Sequence, residues 1–486
     1  MLSGVPGSDA PVATGPLPPG FRFGVATAGF QIEGGFNGPG EPANNWLRWE
    51  RAGHVEPSGI AIDFWNRYED LLDRAASTGC DAFRMSVEWA RVEPSEGEID
   101  HSALDRYAAV LDACHERGLR PLVTLLHFTH PSWLGEDFWL SPESPERFAA
   151  WVDLAVRRLA SRCRHWVTLN EINVVGLGSY LLGLFPPGRR FAASDMWRAL
   201  DHLIVAHVRG YEVLHLVQPD AVVTTNNASI SLYELDRLVI DVLVSRRDGA
   251  TRDDIASWLG ERRRRWYARL PSPAPAERAL RRLSEALFTR AGADGGAIAL
   301  PRAVEAVWSS PHDRTLDVVG IDYYDPLTAN HVRRPGRVTA GGRSWTPAGD
   351  LWEDVVAPDV LATYLGANRE PGLDLWVVEN GLCNRVRRGR SFPRLDGWDR
   401  VRYLERNLAA IVAALDSGLP VGAYFHWPLA DNYEWGSYEP RFGIFGVDRD
   451  RGTRVLDTDA MGFDAAGTYR RVVAGLRAGD RSVVGG

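Results

Sequence analysis

His165-Trp166-Val167-Thr168-Leu169-Asn170-Glu171 and Asp374-Leu375-Trp376-Val377-Val378-Glu379-Asn380-Gly381 are two short apolar runs that each end in a carboxylate. They are apolar nearly throughout rather than alternating, as strands buried on both faces must be. Six further runs of the same kind lie at Phe21–Ala28, Asp81–Trp89, Arg120–Phe128, Ala221–Asn227, Asp317–Tyr324 and Val421–Pro428. Amphipathic helical spacing fills the intervals. Leu104, Tyr107, Ala108, Leu111 and Cys114 recur at helical spacing before Gly118. Val401, Leu404, Leu408, Ile411, Val412 and Leu415 do so before Gly418. Eight strand–helix alternations predict a single (β/α)₈ TIM barrel over residues 21–480, with a leader at 1–20 and a tail at 481–486. A doubly wound open sheet is disfavoured, because no GxGxxG follows the first strand.

The length of 486 residues exceeds the roughly 250 of a typical barrel, so long βα loops must carry the surplus. The longest are expected after the first strand, between the fifth and sixth, and after the sixth and eighth. The stretch 232–314 shows no clear strand, and its run Arg262–Arg265 is expected to be a solvated helix face.

Composition excludes several functions. Net charge is −8, which disfavours nucleic acid. No lysine occurs anywhere in the chain. That removes lysine Schiff bases, pyridoxal-phosphate chemistry and a P-loop. The four cysteines, Cys80, Cys114, Cys163 and Cys383, have no metal or disulfide spacing. Sparse cysteine, no signal-peptide pattern and no long apolar run predict a cytoplasmic protein with no membrane contact. His127 and His130 lie on a strand–loop junction without HExxH, so no metal is expected. No GxSxG elbow is present.

Catalytic groups of a β/α barrel sit at the C-terminal ends of its strands. In chain order those ends offer Gln31 and Glu33; Arg84, Glu88 and Trp89; His127, His130 and Trp133; Asn170 and Glu171; Asn226 and Asn227; Asp322, Tyr323 and Tyr324; Glu379 and Asn380; then Trp427, Asp431, Asn432, Glu434 and Trp435. Amides, carboxylates, a histidine and tryptophans together suit a polyhydroxylated ligand. Two carboxylates across a pocket are the minimum equipment for cleaving a glycosidic bond.

Segments 21–34 (FRFGVATAGFQIEG), 83–91 (FRMSVEWAR), 168–171 (TLNE), 378–381 (VENG) and 431–435 (DNYEW) resemble glycoside hydrolase family 1, the β-glucosidase family, in matching order. The resemblance implies a retaining exo-β-glycosidase acting on a terminal, non-phosphorylated β-glycoside without a cofactor. It implies Glu171 as general acid/base and Glu379 as nucleophile, with Tyr324 and Arg84 holding Glu379. It also implies Asn170 at the sugar 2-hydroxyl, and Gln31, His127, Trp427, Glu434 and Trp435 around the sugar, with Phe442 closing the pocket. A transglycosidase sharing the same intermediate and a non-catalytic sugar-binding barrel are the alternatives.

The chain departs from the family pattern at Asp322 (usually Asn), Ile172 (usually Pro), Pro428 (usually Ser) and Thr129 (usually Asp). Asp322 adds a negative charge near two glutamates, which must raise a pKa or demand a partner. Arg333, Arg334, Arg337 and Arg343, with Arg385, Arg387, Arg388 and Arg390, fall in two loops expected at the pocket mouth. They suggest an acidic aglycone, against the alternative of solvated loops. The sequence leaves the sugar and the oligomeric state open.

Overall fold

The structure, a computed structural model, describes residues 16–271, 273, 275–291, 299–324, 356–387 and 390–484. The eight expected strands form at their expected places. They are β1 (Arg22–Ala26), β2 (Ala82–Ser86), β3 (Arg120–Thr124), β4 (His165–Val167), β5 and β6 (Val222–Thr224 and Asn226–Ala228), β7 (Val318–Tyr323), β8 (Asp374–Asn380) and, after a hairpin of β9 (Arg385–Arg387) and β10 (Arg390–Phe392), β11 (Val421–His426). A second small hairpin follows, β12 (Val447–Asp448) with β13 (Arg454–Val455).

The barrel strands pair in parallel in the order β5-β4-β3-β2-β1-β11-β8-β7-β6. The fifth run differs from expectation by splitting at Thr225. Its first half pairs with β4 and its second with β7, so the barrel closes through one strand that changes neighbours. Thr225 marks the change, its hydroxyl donating to the Leu169 carbonyl at 2.8 Å.

Two apolar layers result. One lies between strands and surrounding helices and includes Val25, Leu104, Leu111, Val123, Trp166, Leu375 and Leu408. The other fills the barrel axis with small and large residues together: Ala26, Ala82, Leu122, Val167, Val378, Ala423 and Phe425. Gly24 makes room for the largest, since a Cβ there would meet the Phe425 ring at 2.3 Å. The helix His101–Glu116 buries the residues its spacing selected, and Asp100 caps it by accepting from the Ser102 and Ala103 amides. Replacing such a cap by Ala costs about 1 kcal/mol.

The region 232–314 is helical where described, with Ile255–Arg269, Pro275–Ala291 and Pro301–Ser309 its longest elements. Here one expectation needs correcting. Arg264 and Arg265 are exposed and pair with Glu261, as a solvated face should. Arg262 and Arg263 instead turn inward, Arg262 onto Asp241 and Glu370 and Arg263 onto Glu234. They lie at helical spacing between buried Leu259 and Trp266, so the helix period carries them to the inner face. Among the described residues, no helix is long and apolar enough to cross a membrane.

Candidate active site

Glu171 and Glu379 meet at the C-terminal end of the barrel. Both line a cavity of about 210 Å³ with His127, Tyr324, Trp427, Glu434, Trp435 and Phe442. Arg84, Asn170 and Gln31 stand behind that wall, fully buried and bonded to it. A larger hollow of about 440 Å³ lies at the opposite end of the barrel, by Arg22, Arg120, His165 and Asp374. It brings no two carboxylates face to face.

Glu379 ends β8 and is held on both oxygens. Arg84 ion-pairs with Oε1, and the Tyr324 hydroxyl donates to Oε2 at 2.8 Å. Thr124 in turn orients Arg84, accepting from Nε at 3.1 Å. Asn380 roots the strand end through Tyr403, Tyr424 and the Tyr323 carbonyl. Gly381 follows because only glycine fits: a Cβ there would lie 2.2 Å from the Trp427 carbonyl oxygen.

Glu171 sits in the left-handed backbone region with φ of 42°, at the start of the short helix Ile172–Gly176. Phe128 and Trp435, which line the same cavity, share this uncommon conformation with φ of 65° and 44°. Non-glycine residues adopt it at a cost, and such strain gathers at functional sites. Glu171 receives the Asn170 amide at 3.3 Å.

Burial raises the pKa of both glutamates, but unequally. For Glu171 the nearby Glu379 charge adds to desolvation and lifts it well above the carboxylate range. For Glu379, whose pKa burial also raises, Arg84 and Tyr324 work against the desolvation. The surroundings thus favour the protonated form of Glu171 and give the anion of Glu379 its partners. Glu434 is pushed up to about 8 by burial and by Glu379. His127 is driven well below its usual range by burial and Arg84, so it is neutral. The Asn170 amide reaches its Nε2 at 3.4 Å, which assigns the imidazole proton to Nδ1.

Gln31 Oε1 and His127 Nδ1 are among the polar atoms at the site that are buried without a protein partner. The Gln31 amide nitrogen is used on Glu434 and the Tyr433 carbonyl. His127 stacks between Trp427 and Trp435, with ring centroids at 5.7 and 5.6 Å. Flat walls and unpaired polar atoms are what a sugar ring asks for.

Other strand-end residues fall elsewhere. Glu33 pairs with Arg91 and Tyr107. Glu88 takes Ser86 and Thr129, so Thr129 is a hydroxyl serving a carboxylate where Asp would repel it. Trp89 stacks on Trp151, and Asn227 donates to the Asp236 carbonyl. Asp431 folds the segment that carries Phe442, accepting from the Gly443 amide at 3.0 Å. Arg333, Arg334, Arg337, Arg343 and Arg388 lie outside the described residues. Arg385, Arg387 and Arg390 sit on the β9–β10 hairpin, and of the described arginines Arg394 lines the cavity.

Asn226 had no assigned role in the sequence. It bridges Asn170 and Asp322. Its only signal was a polar Thr-Thr-Asn-Asn end to an otherwise apolar strand. Among the described residues, Glu171, Asp322 and Glu379 each offer an oxygen within 4.8 Å of the others. A cation there would face the guanidinium of Arg84, which already carries the positive charge.

Comparison with known proteins agrees with this geometry. The family model described as glycosyl hydrolase family 1 matches residues 13–248 and 314–460. The gap between those segments falls on the helical region that buries Arg262 and Arg263. The chain is 29% identical to a beta-glucosidase of Agrobacterium over 92% of this chain and 95% of that one. It is also 29% identical to a bifunctional beta-D-glucosidase/beta-D-fucosidase of Bifidobacterium breve, over 94% and 98%. The fold matches a family 1 β-glucosidase structure from Thermotoga maritima with a TM-score of 0.72 at 23% identity, covering 95% of this chain and 99% of that one.

Proposed function

This chain belongs to glycosyl hydrolase family 1, and from that premise we propose that it is a retaining exo-β-glycosidase acting on a terminal, non-phosphorylated β-glycoside. The observation that carries the reading is the unequal treatment of two carboxylates at close range, one clamped by Arg84 and Tyr324 and the other left with a single amide.

Ionised Glu379 attacks the anomeric carbon while Glu171 gives its proton to the departing aglycone oxygen. A covalent glycosyl ester on Glu379 results. Glu171, now ionised, takes a proton from water as that water attacks the same carbon, and Glu379 leaves. Two inversions release the β-sugar. The 4.8 Å limit on the oxygen separation suits direct attack, because inverting enzymes hold their carboxyls about 6.5–9.5 Å apart to admit water.

In this reading Asn170, His127, Gln31 and Glu434 bind the sugar hydroxyls, and Trp427 and Trp435 stack on its flat faces. Glu434 disfavours a phosphorylated sugar at the buried end, because a carboxyl there offers a phosphate no positive charge and repels it once ionised. On the aglycone side, Val174, Phe185 and Phe442 form an apolar wall. Arg394 lines the same cavity and is the described arginine that an acidic aglycone would meet. Paired measurements on neutral and carboxylated aryl β-glycosides separate the two preferences. The four cysteines are buried free thiols, which suits a reducing compartment such as the cytoplasm.

Activity requires Glu171 protonated and Glu379 ionised. Because the folded pKa of Glu171 is raised, its contribution is present at lower pH and lost as pH rises through that value. Loss of the Glu379 charge sets the acid limb. A 2-deoxy-2-fluoro β-glycoside with a good leaving group tests the covalent step. The fluorine slows both steps, the leaving group restores the first, and the adduct accumulates. Peptide mass analysis should place it on Glu379, and NMR of early product with an ordinary substrate should show the β-anomer. An α-anomer, or label on another residue, would defeat the proposal.

A further inference from the structure

Asp322 is a third carboxyl in the reaction centre. It ends β7 directly beside Glu379 on β8, is fully buried, and offers an oxygen within 4.8 Å of both Glu171 and Glu379. Its surroundings differ from those of Glu379 in one decisive way. Glu379 has a donor on each oxygen. Asp322 has the Asn226 amide on Oδ2 and no protein partner on Oδ1. An ionised carboxylate has acceptor sites on both oxygens and tolerates burial only when they are filled.

The charge balance agrees. The groups facing Asp322 are Glu379 from β8, Glu171 from the end of the fourth strand, Arg84 from β2 and Asn226 from β6, with Tyr324 just past the end of its own strand. One guanidinium therefore serves three carboxyls. It is already bound to Glu379 and Asn170.

We propose that Asp322 remains a neutral carboxylic acid throughout turnover, a positioning residue that holds the reaction centre at one negative charge against Arg84. This rests on the reading of Glu379 and Glu171 given above. In the resting state the single anion is Glu379. In the glycosyl-enzyme Glu379 is a neutral ester, Glu171 has lost its proton to the aglycone, and the single anion is Glu171. Water then returns a proton to Glu171 and Glu379 becomes the anion again. Asp322 exchanges no proton in either half-reaction. Its O–H makes Oδ1 a donor in place of a buried acceptor that no protein group fills. Burial, and the charge of whichever glutamate is ionised, favour this protonated form.

Infrared difference spectra of the wild type against Asp322→Asn, recorded near neutral pH without substrate, test the idea. A protonated-carboxyl C=O band in the wild type that disappears in the variant is expected. A lost carboxylate band instead would overturn the proposal. Kinetics give a second readout. Asp322→Asn should keep kcat/KM within about threefold, with its alkaline limb in place. Asp322→Ala, which removes the donor, should fall by about tenfold or more, with the loss in kcat. If Asp322 acted as an anion, Asn would lower the alkaline limb by about one pH unit and lose rate as Ala does. The infrared band is read without turnover, so it stands even if the labelling experiment assigns the nucleophile elsewhere.

Discussion

Two ionic clusters in this molecule, one buried and one partly buried, are built to opposite rules. Around Arg84, the carboxyls of Glu171, Asp322 and Glu379 crowd one guanidinium. Outside the barrel, Arg237, Arg247 and Arg262 interleave with Asp241, Asp248 and Glu370. In the second cluster charge is matched. Arg237 reaches Asp241 at 2.8 Å, Glu370, and the Asn368 carbonyl at 2.7 Å, while Tyr233 donates to the other Asp241 oxygen at 2.7 Å. Nothing there is left for a proton to settle. In the first, acid is in excess and polar atoms stay open, so protons make up the difference. A matched network ties the helix Ile255–Arg269 to the segment before β8. An unmatched one can move a proton during a reaction.

The largest break in this comparison is Glu379→Gln. Activity should drop by about 10⁵-fold or more, on the scale of losing a nucleophile. The melting temperature should barely move. With its partner gone, Arg84 lets Glu171 or Asp322 ionise in its place, so no buried charge is stranded. A melting-temperature loss as large as that of a broken matched pair would show that the centre has no protons to redistribute.

The matched cluster should respond in reverse. Arg237→Met leaves Asp241 and Glu370 to share the remaining arginines, and a broken buried pair costs about 3–5 kcal/mol. Urea unfolding should report that loss, while kcat/KM per folded molecule at low temperature stays near wild type. An activity loss out of proportion to unfolding would mean that this cluster also shapes the catalytic face.

The two clusters were unequally legible in the sequence. Glu171, Glu379 and Tyr324 stand at strand ends, and a barrel brings strand ends together, so placing the strands was enough to gather them; Arg84 lies in the middle of β2 and reaches Glu379 through its long side chain. The same reasoning could not separate Glu379 from Glu33 or Glu88, which end in equivalent places. Their partners Tyr107 and Thr129 belong to other strand–helix units and meet them only in three dimensions. The split at Thr225 was hidden because Thr-Thr-Asn-Asn reads as one strand whichever neighbour each half adopts. Arg262 was hidden by the habit of sending charge to solvent, although Leu259 and Trp266 on either side fix the inward face.

Gln31 lies between the extremes, and its replacement should give the smallest effect of the three. Its Nε2 is spent on Glu434 and the Tyr433 carbonyl, whereas Oε1 is buried with no protein partner. An acceptor left dry costs about 1–3 kcal/mol until something donates to it. A sugar hydroxyl entering the cavity is that donor. Gln31→Ala should therefore lower kcat/KM by about 10–100-fold while removing a penalty from the free protein, so stability should hold or rise slightly. The coupling identifies the hydroxyl. Across a set of monodeoxy β-glycosides, one substrate should lose as much with the wild type as the full sugar loses with Gln31→Ala, and combining the two should cost little more. If the losses add for every deoxy position, Gln31 touches no hydroxyl. Its role would then be to hold Glu434, which belongs to the matched kind of bonding rather than the open kind.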